Sequence, residues 1–299
     1  MKTRQTERSA PLPGDVPGFL LRALEGRWHR FAAELARSRR RCTEPGIHDL
    51  RVATRRLLAV LDLADAVLPG AVTPRARRVL RKTLRSFSPL RDCHVRILTL
   101  RAYTRRFIVA RPLLREARAA ERTLVREAAR LVARVDAASL EREVTAIARA
   151  CAMLEGPAAR AAQEVLEGVA AKKYLRVAAR RRKLTGADAR PIHRLRVAFK
   201  EFRYTIEALL PLFPGVDKRR LRSLSALQDS MGAIQDVDVL SDVVARFALR
   251  RGASFPASVL NFQRHIEERR RVLVGEFLEQ ADAVAGCWPP GGGAEEMLR

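Results

Sequence analysis

One segment of this chain occurs twice. Residues 47–57 read IHDLRVATRRL and residues 192–202 read IHRLRVAFKEF, with identity at six of the eleven positions. The identical positions include a histidine, which returns 145 residues later, as His48 and His193. Agreement of this kind at one fixed spacing indicates an internal duplication. We therefore expect two related halves, each organised around one copy of the segment.

Each copy of the segment predicts an amphipathic helix. Proline precedes each copy, where a first helical turn accepts it, and a Pro-Gly pair follows, where a helix ends. At about 100° per residue, leucine and phenylalanine fall on one face and charged residues on the opposite face. The charged face therefore carries a histidine, then cations, then one acid. These residues are His48, Arg51, Arg55 and Asp62 in the first copy, and His193, Arg196, Lys200, Arg203 and Glu207 in the second.

The repeated row of cations is the first candidate for a binding site. Guanidinium groups match the oxygens of phosphate, and the N-terminus of a helix favours negative charge. Alternatively, the row is only the solvated face that every amphipathic helix needs. Its recurrence in both copies favours anion binding. The primary candidates are His48, Arg51, Arg55, His193, Arg196, Lys200 and Arg203.

The helix before each copy carries a second, weaker set of candidates. A helix is expected from about Pro17 to Arg41. When the alignment of the two halves is shifted by one residue, its cations recur in a basic helix that ends near residue 183. The secondary candidates are Arg27, Arg30 and Arg37 in the first half, and Lys173, Arg176 and Lys183 in the second.

Charge is the compositional feature that bears most on function. Lysine and arginine number 58 against 33 acids, a formal net charge of +25, which implies a strongly anionic partner. The four scattered cysteines suggest neither a zinc site nor a disulfide framework, and we expect no metal or cofactor. An N-terminus without an apolar signal core, and the absence of a long apolar run, predict a cytoplasmic protein without a membrane partner.

The sequence predicts an all-α fold, since no alternating strand pattern is evident. We expect a flexible tail at 1–15, a helical bundle at 16–155, a second bundle at 157–285 after the break at Gly156-Pro157, and a tail at 286–299. Two related antiparallel bundles suggest a pseudo-twofold arrangement with a shared basic groove or pore. In the second half, residues 217–231 and 234–250 are expected to form separate helices.

Two further patterns concern acidic residues. Residues 112–135 are expected to form a helix with charge pairs at i,i+4, in which Glu121 and Glu127 lie near arginines. Asp92 and Asp236 recur at a spacing of 144. An acid would repel an anionic ligand, so we interpret this pair as structural, either capping the next helix or orienting an arginine.

The sequence gives little support to catalysis or to specific recognition of nucleic acid. The phosphate-cradling loop, the dinucleotide fingerprint and hydrolase motifs are absent, and the acids nearest to the repeated histidines lie more than three turns along the helix. Hence we expect no enzyme, although phosphoryl processing by His48 or His193 remains a third possibility. Aromatic residues are only 5% of the chain, too few for stacking on bases, so non-specific nucleic-acid binding is the second alternative.

The repeated Ile-His-x-Leu-Arg-Val-Ala helix, its Arg/Lys row and the later Asp-x-x-Val segment resemble the CHAD family, the conserved histidine α-helical domain, over about residues 16–285. The resemblance implies two pseudo-symmetric helical bundles around a basic cavity that binds inorganic polyphosphate, in some members at polyphosphate granules. It implies that the primary candidates line the ligand surface. Some members also carry a triphosphate-hydrolysing barrel domain, for which this chain has no β-rich counterpart.

A long, densely charged anion also suits the residues themselves. Polyphosphate offers charge along its whole length and no base edges, and a surface of Arg, Lys and His without aromatics supplies charge and forked donors without sequence readout. Histidine can gain a proton beside phosphate, so we expect binding to strengthen as pH falls.

Overall fold

The computed structural model describes residues 15–184, 189–212, 218–250 and 257–281. Helices account for nearly all of these residues. They are α1 (Val16–Arg40), α2 (Glu44–Val67), α3 (Pro74–Ser86), α4 (Ser88–Tyr103), α5 (Ala110–Ala133), α6 (Ala137–Ala152), α7 (Gly156–Arg182), α8 (Ala189–Leu209), a short 3-10 turn (Leu210–Leu212), α9 (Lys218–Arg250) and α10 (Ala257–Gln280).

Side-chain caps and prolines fix where the first helices begin. The Asp15 carboxylate accepts a hydrogen bond from the amide of Gly18 at 2.8 Å, and the hydroxyls of Thr43 and Thr73 accept from amides three residues ahead at 3.2 and 3.1 Å. Each cap is followed by a proline in the first turn, where the missing N–H costs no hydrogen bond. These local signals explain why the boundaries of α1 to α3 follow the sequence closely.

One predicted boundary is wrong. Residues 217–231 and 234–250 do not form two helices, because α9 runs without interruption from Lys218 to Arg250. The corresponding stretch of the first half does break, between α3 and α4, where Pro89 lies in the first turn of α4. Proline lacks the N–H that a continuing helix would need, and the position 144 residues later is Ala233, a good helix former.

The two copies of the repeated segment lie on helices that touch. α2 packs against α8, and both contact α7. The apolar faces predicted for these helices are buried: Leu50, Leu57, Leu61, Leu195 and Phe202 each expose less than 1% of their surface. Burying such side chains contributes about 2 kcal/mol each and fixes which way each helix is turned. The charged faces of α2 and α8 are thereby brought to the same region of the molecule.

The all-α fold is confirmed, and no strand occurs in the described ranges. Gly156 begins α7 with a φ of +54°, in the left-handed region that favours glycine. The division into two bundles at this point, their pseudo-twofold relation and their origin by duplication stay predictions. The tail predicted at 1–15 lies outside the described residues except for Asp15, which caps α1. The tail at 286–299 and the loop expected through Gly186 lie outside them as well. None of the described helices is long and apolar enough to cross a membrane.

Candidate polyanion site

Five cations from three helices converge where α2, α4 and α8 meet. They are Arg51 and Arg55 on α2, Arg91 on α4, and Arg196 and Lys200 on α8, and together they form what we call the central cluster. Burial and, after it, the charges of Arg55, Arg196, Arg51 and Arg91 lower the pKa of the Lys200 ammonium to about 7. Burial disfavours the charged form of the amine, and the four arginines add to this effect because like charges repel.

Two acids of the repeat accompany the central cluster, and a third acid, Asp229, lies near Arg196. Asp236 lies near Arg91 and Arg196, and Asp92 lies near Arg51 and Asp236. Burial raises the pKa of Asp236 although the two arginines act in the opposite direction. The capping interpretation of these acids is wrong, because both lie inside helices, α4 and α9. Their positions instead fit the other interpretation, the orientation of arginines, and five cations against three acids leave the cluster positively charged.

Arg51 has a structural role within the cluster. Its side chain is almost buried, and Nη1 donates to the carbonyl oxygen of Leu84 at 2.6 Å and to Oγ of Ser88 at 3.2 Å. These bonds tie α2 to the junction of α3 and α4. Burial, the neighbouring Arg55 and Arg91 lower the pKa of Arg51 to about 10, against the opposing charge of Asp92.

Two other arginines of the cluster hold unused donors. Within the described part of the chain, Nη1 of Arg91 and Nε of Arg196 are buried and have no hydrogen-bond partner. A buried donor without a partner costs about 1–3 kcal/mol, which a ligand oxygen would recover. Lys200 likewise has neither a hydrogen bond nor an ion pair with any described residue. The cluster is therefore prepared for an anion.

An open cavity of about 590 Å³ lies beside the cluster, between α2, α3, α7 and α8, and we call it the cleft. Arg55 and Lys200 belong both to the central cluster and to the lining of this cavity. The other cations that line it are Arg81, Lys173 and Arg176. Nζ of Lys173 donates to Oγ1 of Thr205 at 2.9 Å, and Arg176 pairs with Glu201 at 2.9 Å. Four of the candidates from the sequence thus share one cavity: Arg55, Lys200, Lys173 and Arg176.

The two repeated histidines lie in different surroundings. His48 is exposed next to the cluster, and partial burial followed by the charge of Arg91 lowers the pKa of its imidazole. His193 is exposed in a separate cavity of about 420 Å³, where its Nδ1 donates to Oε1 of Gln235. The cleft lining includes neither histidine, so the equivalence that the sequence suggested does not extend to their surroundings.

Most of the remaining candidates are held in ion pairs. Glu207 is the partner of Arg203 at 3.5 Å and Arg27 at 3.5 Å, and it also pairs with Arg56 at 2.6 Å. Glu34, which is nearly buried, pairs with Arg30 and Arg37. Lys183 is exposed just beyond the end of α7. The cleft lining includes none of these cations, and their part in binding stays a prediction.

Removing the Glu207 charge should destabilise the fold. Glu207→Gln leaves Arg27, Arg56 and Arg203 without their common partner in a half-buried position, where loss of one partner costs about 3 kcal/mol. Chemical denaturation would measure the loss. Glu116→Gln is the matched control, since its pair with Arg250 is exposed and should contribute less than about 1 kcal/mol. Equal losses in the two variants would contradict a structural role for Glu207.

Two cations of the site were not singled out by the sequence. Arg91 precedes the repeated Asp92, but the corresponding residue of the second half is Gln235, so the repeat pattern did not mark it. Arg81 belongs to a helix in which six of the thirteen residues are basic, so nothing in the sequence distinguishes it. Only the packing of α3 and α4 against α2 brings the two residues to the site.

Comparison with known proteins agrees with the fold. A family model described as the CHAD domain matches residues 22–245 of this chain. The crystal structure of the CHAD domain from the plant Ricinus communis has a TM-score of 0.66 and 18% sequence identity, and the match covers 96% of both chains. At this identity the likeness shows the fold alone. No curated protein matches the sequence.

Proposed function

Because the chain belongs to the CHAD family, we propose that it binds inorganic polyphosphate, in the cleft and against the central cluster. The observation that carries the proposal is the environment of Lys200, which lies among four arginines and has no acid paired with it among the described residues. Like charges held together in a partly buried position repel one another, so the arrangement is stabilised by a bound anion.

The shape of the cleft supports a thin anionic chain. A volume of about 590 Å³ is typical of sites for small ligands and is too small for a nucleic-acid duplex. Arginine forks and two lysines supply charge to phosphate oxygens, and the lining contains one aromatic residue, Tyr204. Polyphosphate requires charge without base stacking, and the cleft offers that combination. Non-specific nucleic-acid binding over the basic surface is the alternative.

A competition experiment at near-physiological salt tests this proposal. Labelled long-chain polyphosphate is displaced from the protein by unlabelled polyphosphate or by duplex DNA of equal total charge. We expect polyphosphate to compete at least about a hundredfold better, since duplex DNA is held only by screened surface charges. Equal competition by DNA would show that net charge alone accounts for binding and would overturn the proposal.

We further propose that binding is not accompanied by hydrolysis. The acids that the sequence offered as partners for the histidines are engaged elsewhere, Asp62 with Arg77 at 3.3 Å and Glu207 with three arginines. Incubation of polyphosphate with the protein and Mg²⁺ or Mn²⁺ should therefore leave the chain length on a gel unchanged, and shortening would contradict the proposal. Association with polyphosphate granules, which the family resemblance implies, is testable by imaging a fluorescent fusion.

A further inference from the structure

The outer face of α3 is basic from Arg75 to Arg85. Ala76, Leu80 and Thr83 of this helix are buried, and between these bounds the opposite side carries only cations. Each of them is exposed: Arg75, Arg78, Arg81, Lys82 and Arg85. Their spacing places all five within about a third of the helix circumference, over about three helical turns.

This basic face begins inside the cleft. Arg81 and Leu84 of α3 are part of the cleft lining, on the side opposite α7. A chain bound between Arg55 and Lys200 therefore meets Arg81 as it leaves the cavity over α3. Arg78 and Arg85 lie one turn from Arg81, in either direction along the helix, so positive charge continues onto the outer surface.

On its other side α3 borders a second cavity. This cavity of about 220 Å³ lies between α3, α5 and α6, and its lining includes Arg75, Lys82 and Arg134. Arg75 is near Asp136 and Glu143, at 3.6 and 3.7 Å, so its charge is partly neutralised. Lys82 on α3 and Arg134 at the end of α5 are the other two cations of this lining. Positive charge therefore continues from α3 to the end of α5.

Arginines also follow the outer side of α5. Arg118, Arg122, Arg126 and Arg130 are exposed at intervals of four residues, and Arg134 continues the row. The sequence predicted that Glu121 and Glu127 of this helix lie near arginines. Glu121 contacts His94 on α4 at 3.2 Å. Glu116, one turn earlier, pairs with Arg250 of α9. Five arginines thus follow this side, with Glu127 as the exposed acid nearest to them, so positive charge outweighs negative charge along the row.

We propose that these cations form a track that guides a long polyphosphate chain from the cleft across α3 to the end of α5. The track comprises Arg81, Arg78, Arg85, Lys82, Arg134 and Arg130. The inference rests on the proposed function, since the cleft must first hold one part of the chain. Once that part is bound, the following phosphates meet the track at high effective concentration, so weak individual contacts add to the affinity. The protein thereby prefers long chains to short ones.

A variant of α3 tests the track while leaving the cleft lining intact. Arg78→Gln, Lys82→Gln and Arg85→Gln together remove three exposed charges, none of which has a hydrogen bond or ion pair with another described residue. The probes are tripolyphosphate and long-chain polyphosphate. Tripolyphosphate is short enough to bind within the cleft without contacting the track. We expect tripolyphosphate affinity to stay within about twofold and long-chain affinity to fall about tenfold. The dependence of long-chain affinity on salt should also weaken, by a slope of about 2 for three lost contacts.

A control variant with the same change of net charge distinguishes binding along the track from long-range electrostatic attraction to the whole protein. Arg246→Gln, Arg264→Gln and Arg269→Gln remove three exposed arginines from α9 and α10. This variant should keep the preference for long chains. Equal loss of long-chain affinity in both variants would overturn the track. Failure of the proposed function is a different result, in which tripolyphosphate does not bind the unmodified protein or its binding is unaffected by changes to Arg55 and Lys200.

Discussion

Replacing Arg55 and Lys200 together by glutamine should weaken polyphosphate binding by about a hundredfold, which corresponds to about 3 kcal/mol. Both side chains line the cleft, and a charge-assisted hydrogen bond to phosphate contributes about 1.5–3 kcal/mol. Isothermal titration calorimetry at constant salt would measure the change. Two of the five cations of the cluster, both in the cleft lining, are lost in this variant.

The same variant should be at least as stable as the unmodified protein. Lys200 and Arg55 repel each other and their neighbours in the empty cleft, and neither forms a hydrogen bond or an ion pair with a described residue. Glutamine removes that repulsion and keeps much of the side-chain volume. A binding site that lowers stability in the absence of its ligand is a common feature of functional surfaces. Thermal unfolding of the free protein would therefore show an unchanged or higher midpoint.

A control pair and the combination of the two measurements make the test decisive. Arg264→Gln with Arg269→Gln removes the same charge from the exposed side of α10 and should change affinity less than about threefold, as expected for screened surface charges. Weak binding by a variant that has also lost stability would point to misfolding. A hundredfold loss in the control pair would show that long-range charge dominates.

The contact between α2 and α8 shows what could be predicted from the sequence. Whether a segment forms a helix, and which of its faces is buried, are local properties. For α2, a cap at Thr43, a proline in the first turn and the spacing of Leu50, Leu57 and Leu61 are sufficient to predict both. The basic face follows by exclusion, since the apolar face must be buried. Arg55 and Lys200 could therefore be named as candidates before the packing was known, and the structure places both in the cleft.

The pairing of charges could not be predicted in this way. With 51 arginines in the chain, every basic helix face looks like a binding site in the sequence. What separates Lys200 from Arg203, three residues later, is that Arg203 reaches Glu207 and Gln228. Such partners lie on other turns and other helices, so they depend on tertiary packing. Arg27, Arg30 and Arg37 resembled ligands for the same reason, and the structure places acids beside all three.

Polyphosphate affinity should fall steeply as pH rises from about 7 to 9, by up to tenfold per pH unit. In the free protein Lys200 has a pKa of about 7, because it is partly buried among Arg55, Arg196, Arg51 and Arg91. Bound phosphate reverses this environment and raises the pKa of Lys200, so binding takes up a proton whenever the free amine is neutral. Affinity is then greatest below pH 7 and is lost progressively above it.

Lys200→Arg is the matched variant for this prediction. Arginine keeps the positive charge but does not titrate in this range, so the affinity of the variant should be nearly constant between pH 7 and 9. His48 and Lys173, whose pKa values are also lowered in the free protein, are present in both proteins, so the difference between the two pH profiles is assigned to Lys200. The terminal phosphates titrate near pH 6, below this range. Parallel pH profiles of the two proteins would contradict the role assigned to Lys200.

Stability should change with pH in the opposite direction. In the unfolded chain Lys200 has an ordinary pKa near 10.5, so between pH 7 and about 10 the unfolded state binds more protons than the folded state. The contribution of Lys200 to the free energy of unfolding therefore becomes more favourable as pH rises, by up to about 1.4 kcal/mol per unit. Denaturation of the free protein at pH 7 and pH 9 should show this gain, and Lys200→Arg should lack it. The loss of affinity and the gain in stability have one cause, the deprotonation of Lys200. The protonated amine binds phosphate, but in the free protein it is destabilised by burial and by the four arginines around it.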